Sequence, residues 1–155
     1  MKPSLEISDS TTLYRSNGIA LGWSVEIKDI VLIAEYTTNE GPYVDDYYLV
    51  FVTIEDGKAY FASCSFYVDG RDEVFHSLKE QFGIASEFGL LQSTEWASRV
   101  MWPVHLAGSD YFQFDEVKPV SLLEKLRKAL IGPQLEYKLS ISIREYIEAQ
   151  KTIDR

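Results

Sequence analysis

The first groups to weigh for chemistry are His76, His105, Cys64 and two adjacent carboxylate pairs, Asp45-Asp46 and Glu55-Asp56. A metal site of two histidines and one carboxylate needs its ligands converged in space. The histidines stand 29 positions apart, and no further His or Cys lies at ligand spacing from either. They read as two unrelated histidines, and neither a metal nor a cofactor is expected. Cys64 alternates with Ala62 and Phe66 on one face of a β-patterned run. A nucleophilic cysteine needs a cation or a helix N-terminus nearby to lower its pKa. None is local, so Cys64 reads as a small core residue, and as a lone cysteine it cannot form a disulfide within the chain. Neighbouring carboxylates on a strand point to opposite faces. The two pairs therefore read as solvated turn residues, unless a loop turns them together toward a cation or a basic partner. Glycine-rich phosphate cradles and nucleophile elbows are absent from the sequence. The expectation is a protein that is not an enzyme.

What remains is the stretch 39–48. Glu40, Tyr43, Asp45, Asp46, Tyr47 and Tyr48 gather acid and tyrosine at a strand edge and form the candidate partner-binding set. Tyrosine suits an interface because it offers a large rigid area and a hydroxyl while losing little rotamer freedom. A second reading stands beside this one, in which the tyrosines cover the open end of a sheet. Trp23, Trp96 and Trp102 are read as core residues, with the lining of a ligand pocket as the alternative.

Charge narrows the class of partner. The chain carries −9 overall. Residues 1–115 hold 7 Lys+Arg against 18 Asp+Glu, a net −11, whereas residues 116–155 hold 8 against 6, a net +2. A strongly acidic body disfavours nucleic acid and anionic lipid, both of which call for a positive surface. It suits a basic protein partner, and it also serves plain solubility. Lys118, Lys125, Arg127 and Lys128 are interleaved with acid and read as an ordinary solvated helix face. The N-terminus is polar, and no apolar run approaches the roughly 20 residues that span a bilayer. The expectation is a cytoplasmic protein without a membrane segment.

The elements that would position these groups follow from periodicity. At 155 residues with 46% apolar content, the chain is expected to form one domain over 1–155. Residues 116–155 are a possible helix–strand–helix extension of the same core. The stretch 47–54 is apolar on both faces, which places it inside a sheet covered on two sides. Asp56-Gly57 then predicts a type I′ hairpin into 59–68. Ile19, Leu21, Trp23, Val25 and Ile27 alternate with smaller or polar residues, the pattern of a strand with one buried face. Asp29 marks a kink before an apolar strand over 30–36, and 37–46 is a loop long enough to be functional. Asp72 and Gly83 bracket a predicted helix over 72–82. The stretch 93–102 is either a short helix or an edge strand. Capping boxes at Ser121/Glu124 and Ser142/Glu145 predict helices over about 121–131 and 143–153. The second would face inward with Ile143, Tyr146, Ile147 and Ile153. The composite is α+β: a twisted, mostly antiparallel sheet of about five to seven strands with three helices.

One resemblance rests on this layout. Trp23 followed by Asp29-Ile30-Val31-Leu32-Ile33, a loop ending in Asp, an aromatic hairpin with Asp56-Gly57, a helix of the form Glu73…Leu78…Phe82-Gly83, and Ser98-Arg99-Val100…Trp102-Pro103 together resemble small uncharacterised bacterial proteins. Those often have pleckstrin-homology-like or related α+β folds, and some are immunity proteins that neutralise a co-produced toxin. The resemblance covers residues 20–115. The C-terminal helix–strand–helix goes beyond a pleckstrin-homology module, and the acidic surface departs from its lipid-binding members. The expected function is thus non-enzymatic binding of a protein partner, its sharpest form an immunity or inhibitor role. The alternatives are a scaffold subunit that forms homodimers through a sheet edge, and a small-molecule binder or enzyme with an aromatic pocket.

Overall fold

The computed structural model describes residues 2–16, 21–38, 45–87, 90, 96–116, 118–131 and 135–153. Among them the protein is α+β, with nine strands in antiparallel sheets and three helices. The single sheet of five to seven strands is replaced by three sheets. Strands β1 (Ser4–Ser8), β2 (Thr12–Ser16) and β3 (Leu21–Glu26) form the first. A 3-10 turn at Ile27–Asp29, where Asp29 suggests a kink, separates β3 from β4 (Ile30–Thr37). β4 joins β5 (Tyr47–Glu55), β6 (Lys58–Ser65) and β7 (Ser98–Trp102) in the order β6-β5-β4-β7. β8 (Phe112–Glu116) and β9 (Leu135–Leu139) make a separate two-stranded ladder.

The apolar run 47–54 is central, as its lack of a polar face requires. Asp56 and Gly57 both take positive φ, 50° and 69°, the conformation that the type I′ turn demands. Alternation on β4 and β5 feeds two cores. Ile33, Leu49 and Phe51 meet Leu5, Leu13 and Val25 of the first sheet and Val74, Phe75 and Leu78 of helix α1 (Arg71–Phe82). Leu32, Ala34, Val50, Val52 and Ile54 meet Tyr111, Phe112 and the fully buried Ile143 and Ile147 of helix α3 (Ile141–Ile153). Each of those two isoleucines contributes about 1.5–3 kcal/mol by leaving water. The Tyr146 hydroxyl adds a hydrogen bond to the Val31 carbonyl oxygen at 2.9 Å. Trp23 and Trp102 pack at the edge of the first core, and the Trp23 Nε1–H donates to the Ser63 carbonyl oxygen at 2.8 Å.

Three local expectations need correction. Asp72 is not the N-cap of α1: the helix opens one residue earlier, after Gly70 at φ 80°. A Cβ on Gly70 would stand 2.4 Å from the Leu5 carbonyl oxygen, so contact with β1 sets this end of the helix. Ser142 lies inside the first turn of α3, which begins at Ile141 beside the buried Ser140. Ile153 is exposed, because only the first two turns of α3 bury residues against the sheet. The Ser121/Glu124 box does form. Ser121 Oγ accepts from the Glu124 N–H at 3.2 Å, and Glu124 Oε2 accepts from the N–H groups of Val120 and Ser121 at 2.7 and 3.3 Å.

That box opens helix α2 (Leu122–Ile131), which connects β8 to β9. Its apolar stripe of Leu122, Leu123, Leu126, Ala129 and Leu130 is not covered. Leu122 and Leu130 are 76% and 82% exposed, and Leu123 and Leu126 are more than half exposed. The pattern of a buried face is present, yet residues 122–130 of the helix are all exposed. No described helix is long and apolar enough to cross a membrane.

Candidate functional site

Consecutive strand residues face opposite ways, and this divides the tyrosine doublet of the candidate set. Tyr47 points into the first core and is 1% exposed. Its hydroxyl donates to Oε2 of Glu35 on β4, a carboxylate with no exposed surface. Arg99, the residue of β7 paired with Glu35 across the ladder, donates to Oε1 through Nε at 2.9 Å and lies 2.5 Å from it through a terminal nitrogen. That terminal nitrogen also donates to the Glu87 carbonyl oxygen at 2.6 Å. The Tyr47 ring stacks on Phe66 with centroids 4.0 Å apart, and the Arg71 guanidinium lies 3.9 Å over the same Phe66 ring. Burial, and then the hydrogen bond to Glu35, push the Tyr47 phenol far above its ordinary pKa. The enclosed carboxylate and phenol, with the partly exposed guanidinium, tie three strands together, and neither the carboxylate nor the phenol presents an atom to a ligand. Tyr47 therefore leaves the set of residues that could touch a partner.

Tyr48 faces the other side. Its ring stacks on Tyr36 with centroids 5.1 Å apart and planes 18° from parallel, and Tyr36 meets Phe112 edge-on at 5.4 Å. The Tyr48 hydroxyl donates to the Asp45 carbonyl oxygen at 2.7 Å. Asp46 is held by its own carbonyl oxygen, which accepts from the Thr38 N–H at 2.7 Å. Its Oδ1 accepts from the hydroxyl of Tyr67 at 3.1 Å. Tyr67 is 56% exposed, yet partial burial, the bond to Asp46 and the charges of Asp46 and Asp45 all raise its phenol pKa. Asp45, Asp46, Tyr48 and Tyr67 thus form one acidic, tyrosine-bearing rim at the end of the central sheet. Glu40 and Tyr43 lie outside the described residues.

Beside Tyr36 lies a groove of about 400 Å³ whose lining includes the apolar Val50, Phe61, Phe112 and Leu139 and one charged side chain, Lys138. Phe61 is half exposed on β6, the strand at one end of the central sheet. The remaining candidates for chemistry stay apart. His76 pairs with Glu80 along the exposed face of α1, whereas His105 packs edge-on against Tyr146 at 5.5 Å. Among the described residues no three His, Cys, Asp or Glu side chains converge to hold a metal ion. Cys64 is buried, and burial pushes its thiol up to about 12.

Comparison of the chain with protein-family models, with curated proteins and with solved structures finds no match.

Proposed function

We propose that this chain is a binding protein that engages a basic protein partner through the rim of Asp45, Asp46, Tyr48 and Tyr67, and that its sharpest role is that of an immunity or inhibitor protein. The observation that carries this reading is the pair of hydroxyl anchors, Tyr67 on the Asp46 carboxylate and Tyr48 on the Asp45 backbone carbonyl, which fix two aromatic rings at an acidic rim before any partner arrives. Rings already ordered lose little freedom on binding, so more of the contact energy appears as affinity. The net −11 of residues 1–115 would steer a cationic partner and make association fall with salt. The closed Glu35–Tyr47–Arg99 cluster favours binding over catalysis, because its groups already satisfy one another inside the core.

The test is affinity capture from the native host with the wild-type chain and with Asp46→Lys combined with Tyr67→Ala, at about 50 and about 500 mM salt, a range over which the screening length shrinks several-fold. A basic protein held by the wild type at low salt, and lost from the variant, is the expected result. Equal recovery on the variant would remove the rim from the interface.

A further inference from the structure

On β6 the second face of the central sheet runs out of cover. Ala59, Phe61 and Ser63 stand opposite Ile54, Val52 and Val50, the β5 residues that meet α3 in the second core. Phe61 is nevertheless 49% exposed, and Ser63 is exposed. The groove beside Tyr36 includes this strand. At Phe61 and Leu139 it meets a second cavity of about 550 Å³. The charged side chains lining the two are Lys58, Lys138, Arg144 and Lys151 against Glu148 alone, and Glu148 pairs with Lys151 at 2.6 Å. An apolar trough with a surplus of cations thus lies on a protein that is otherwise acidic.

One polar group in the groove has nothing to bond. Tyr111 is 6% exposed, and its hydroxyl has no hydrogen-bond partner among the described residues. The unpartnered polar atoms sealed away from the surface are Arg15 Nε and Thr53 Oγ1. The Tyr111 hydroxyl is not one of them, so it opens into the groove that its side chain lines. Burial, and then the neighbouring Tyr36, push this phenol well above its ordinary pKa. At neutral pH it is therefore a donor in an apolar setting, where an unmade hydrogen bond is costly. A buried O–H donor and a cation in the same lining both call for an anionic oxygen. The apolar walls call for hydrocarbon behind it, and the volume falls in the range of small-molecule sites.

We propose that the groove binds a small apolar monocarboxylate, its hydrocarbon against Val50, Phe61, Phe112 and Leu139 and its carboxylate accepting from the Tyr111 hydroxyl and facing Lys138. A phosphate would need more donors than this lining holds. The site is separate from the acidic rim and stands whether or not the rim binds a protein.

The experiment is a titration followed by amide chemical shifts. The probes are octanoate and 3-phenylpropionate, with 1-octanol and octylammonium as the neutral and cationic counterparts. Either acid is expected to shift amides of β6, β8 and β9 with a Kd below about 1 mM. The tighter of the two assigns the hydrocarbon as alkyl or aryl. Tyr111→Phe, which keeps the ring, and Lys138→Gln are each expected to weaken the acid about tenfold, and 1-octanol should bind both variants as it binds the wild type. Phe61→Ser should weaken acid and alcohol alike. Lys138 and Phe61 are exposed, so circular-dichroism melts of their variants should stay close to wild type and keep the test valid if Tyr111→Phe does not fold. The absence of shifts with both acids up to about 10 mM overturns the proposal. So does octylammonium or 1-octanol binding as tightly as octanoate. An octanoate affinity that the Tyr111 and Lys138 variants leave unchanged overturns it as well.

Discussion

Arg99→Met tests whether the Glu35 carboxylate is sealed in the core. Glu35 has no exposed surface, whereas the Arg99 side chain keeps 27% of its own. Methionine fills the aliphatic volume of arginine but removes the guanidinium that pairs with this carboxylate. A buried ion left without its partner costs about 3–5 kcal/mol. With a urea m-value of about 2 kcal/mol/M for a chain of this size, the unfolding midpoint should fall by roughly 2 M. Glu35→Gln is the contrasting substitution. It keeps an oxygen to accept from Tyr47, and Arg99 retains the Glu87 carbonyl and water, so the expected cost is about 1–2 kcal/mol. The double variant should then be more stable than Arg99→Met alone, because no charge is stranded; the coupling between the two sites should be at least about 2 kcal/mol. Urea unfolding followed by tryptophan fluorescence at neutral pH measures all four states of the cycle. If Arg99→Met costs less than about 1 kcal/mol, as an exposed pair would, water reaches Glu35 and the closed cluster is refuted.

Three further outcomes follow from the same geometry. Tyr47→Phe removes the hydroxyl that donates to Glu35 and should cost about 1–3 kcal/mol, while Tyr67→Phe, on the exposed rim, should stay within about 0.5 kcal/mol in the same urea assay. Thr53 is 1% exposed and its Oγ1 is buried with no hydrogen-bond partner among the described residues. Thr53→Val should therefore stabilise by about 1 kcal/mol, read as a raised midpoint with an unchanged m-value. The Cys64 thiol, held up to about 12 in the fold, contributes stability that is fully present below its unfolded value of about 8.5 and is lost as pH rises toward 12. The loss should reach about 2 kcal/mol by pH 10. Cys64→Ala should flatten that part of the stability profile, and native Cys64 should resist thiol reagents at pH 8 until the chain is unfolded.

Much of the fold was legible because its signals are local. The Asp56-Gly57 hairpin, the capping box at Ser121 and the αL cap at Gly83 each lie within a few residues of what they determine. The α+β class followed from them. The division into three sheets did not, because alternation says which face of a strand is buried and not which neighbour completes its sheet. The start of α1 was likewise invisible, being set by the approach of Gly70 to Leu5 across 65 residues. The uncovered face of α2 carried a misleading signal, since a leucine stripe reads as core whether or not anything covers it. At the candidate site, Tyr47 and Tyr48 were both placed in the partner-binding set, although adjacent strand residues face opposite ways and Tyr47 is the one buried. Tyr67 was missed although a signal existed. Counting outward from the two-residue turn pairs Tyr48 with Ser65, as the structure has it, and one more turn of the same count sets Tyr67 opposite Asp46.

The inward and outward members of the rim are mechanically joined, and this decides which substitutions can report on function. Tyr47 is clamped by Glu35 and by the stack on Phe66, and the Phe66 N–H donates to the Tyr47 carbonyl oxygen at 2.8 Å. Phe66 and Tyr47 are the chain neighbours of Tyr67 and Tyr48, so the core cluster holds the backbone from which both rim tyrosines project. Loosening Glu35, Arg99 or Tyr47 would disorder the rim without touching any partner. A loss of binding in those variants would say nothing about contact. Only Asp45, Asp46, Tyr48 and Tyr67, whose side chains lie outside that cluster, separate recognition from stability, and among them Tyr67→Phe is the most discriminating. It leaves the exposed ring in place, removes the bond that orients it on Asp46, and so distinguishes a rim that must be ordered in advance from one that needs only an aromatic surface.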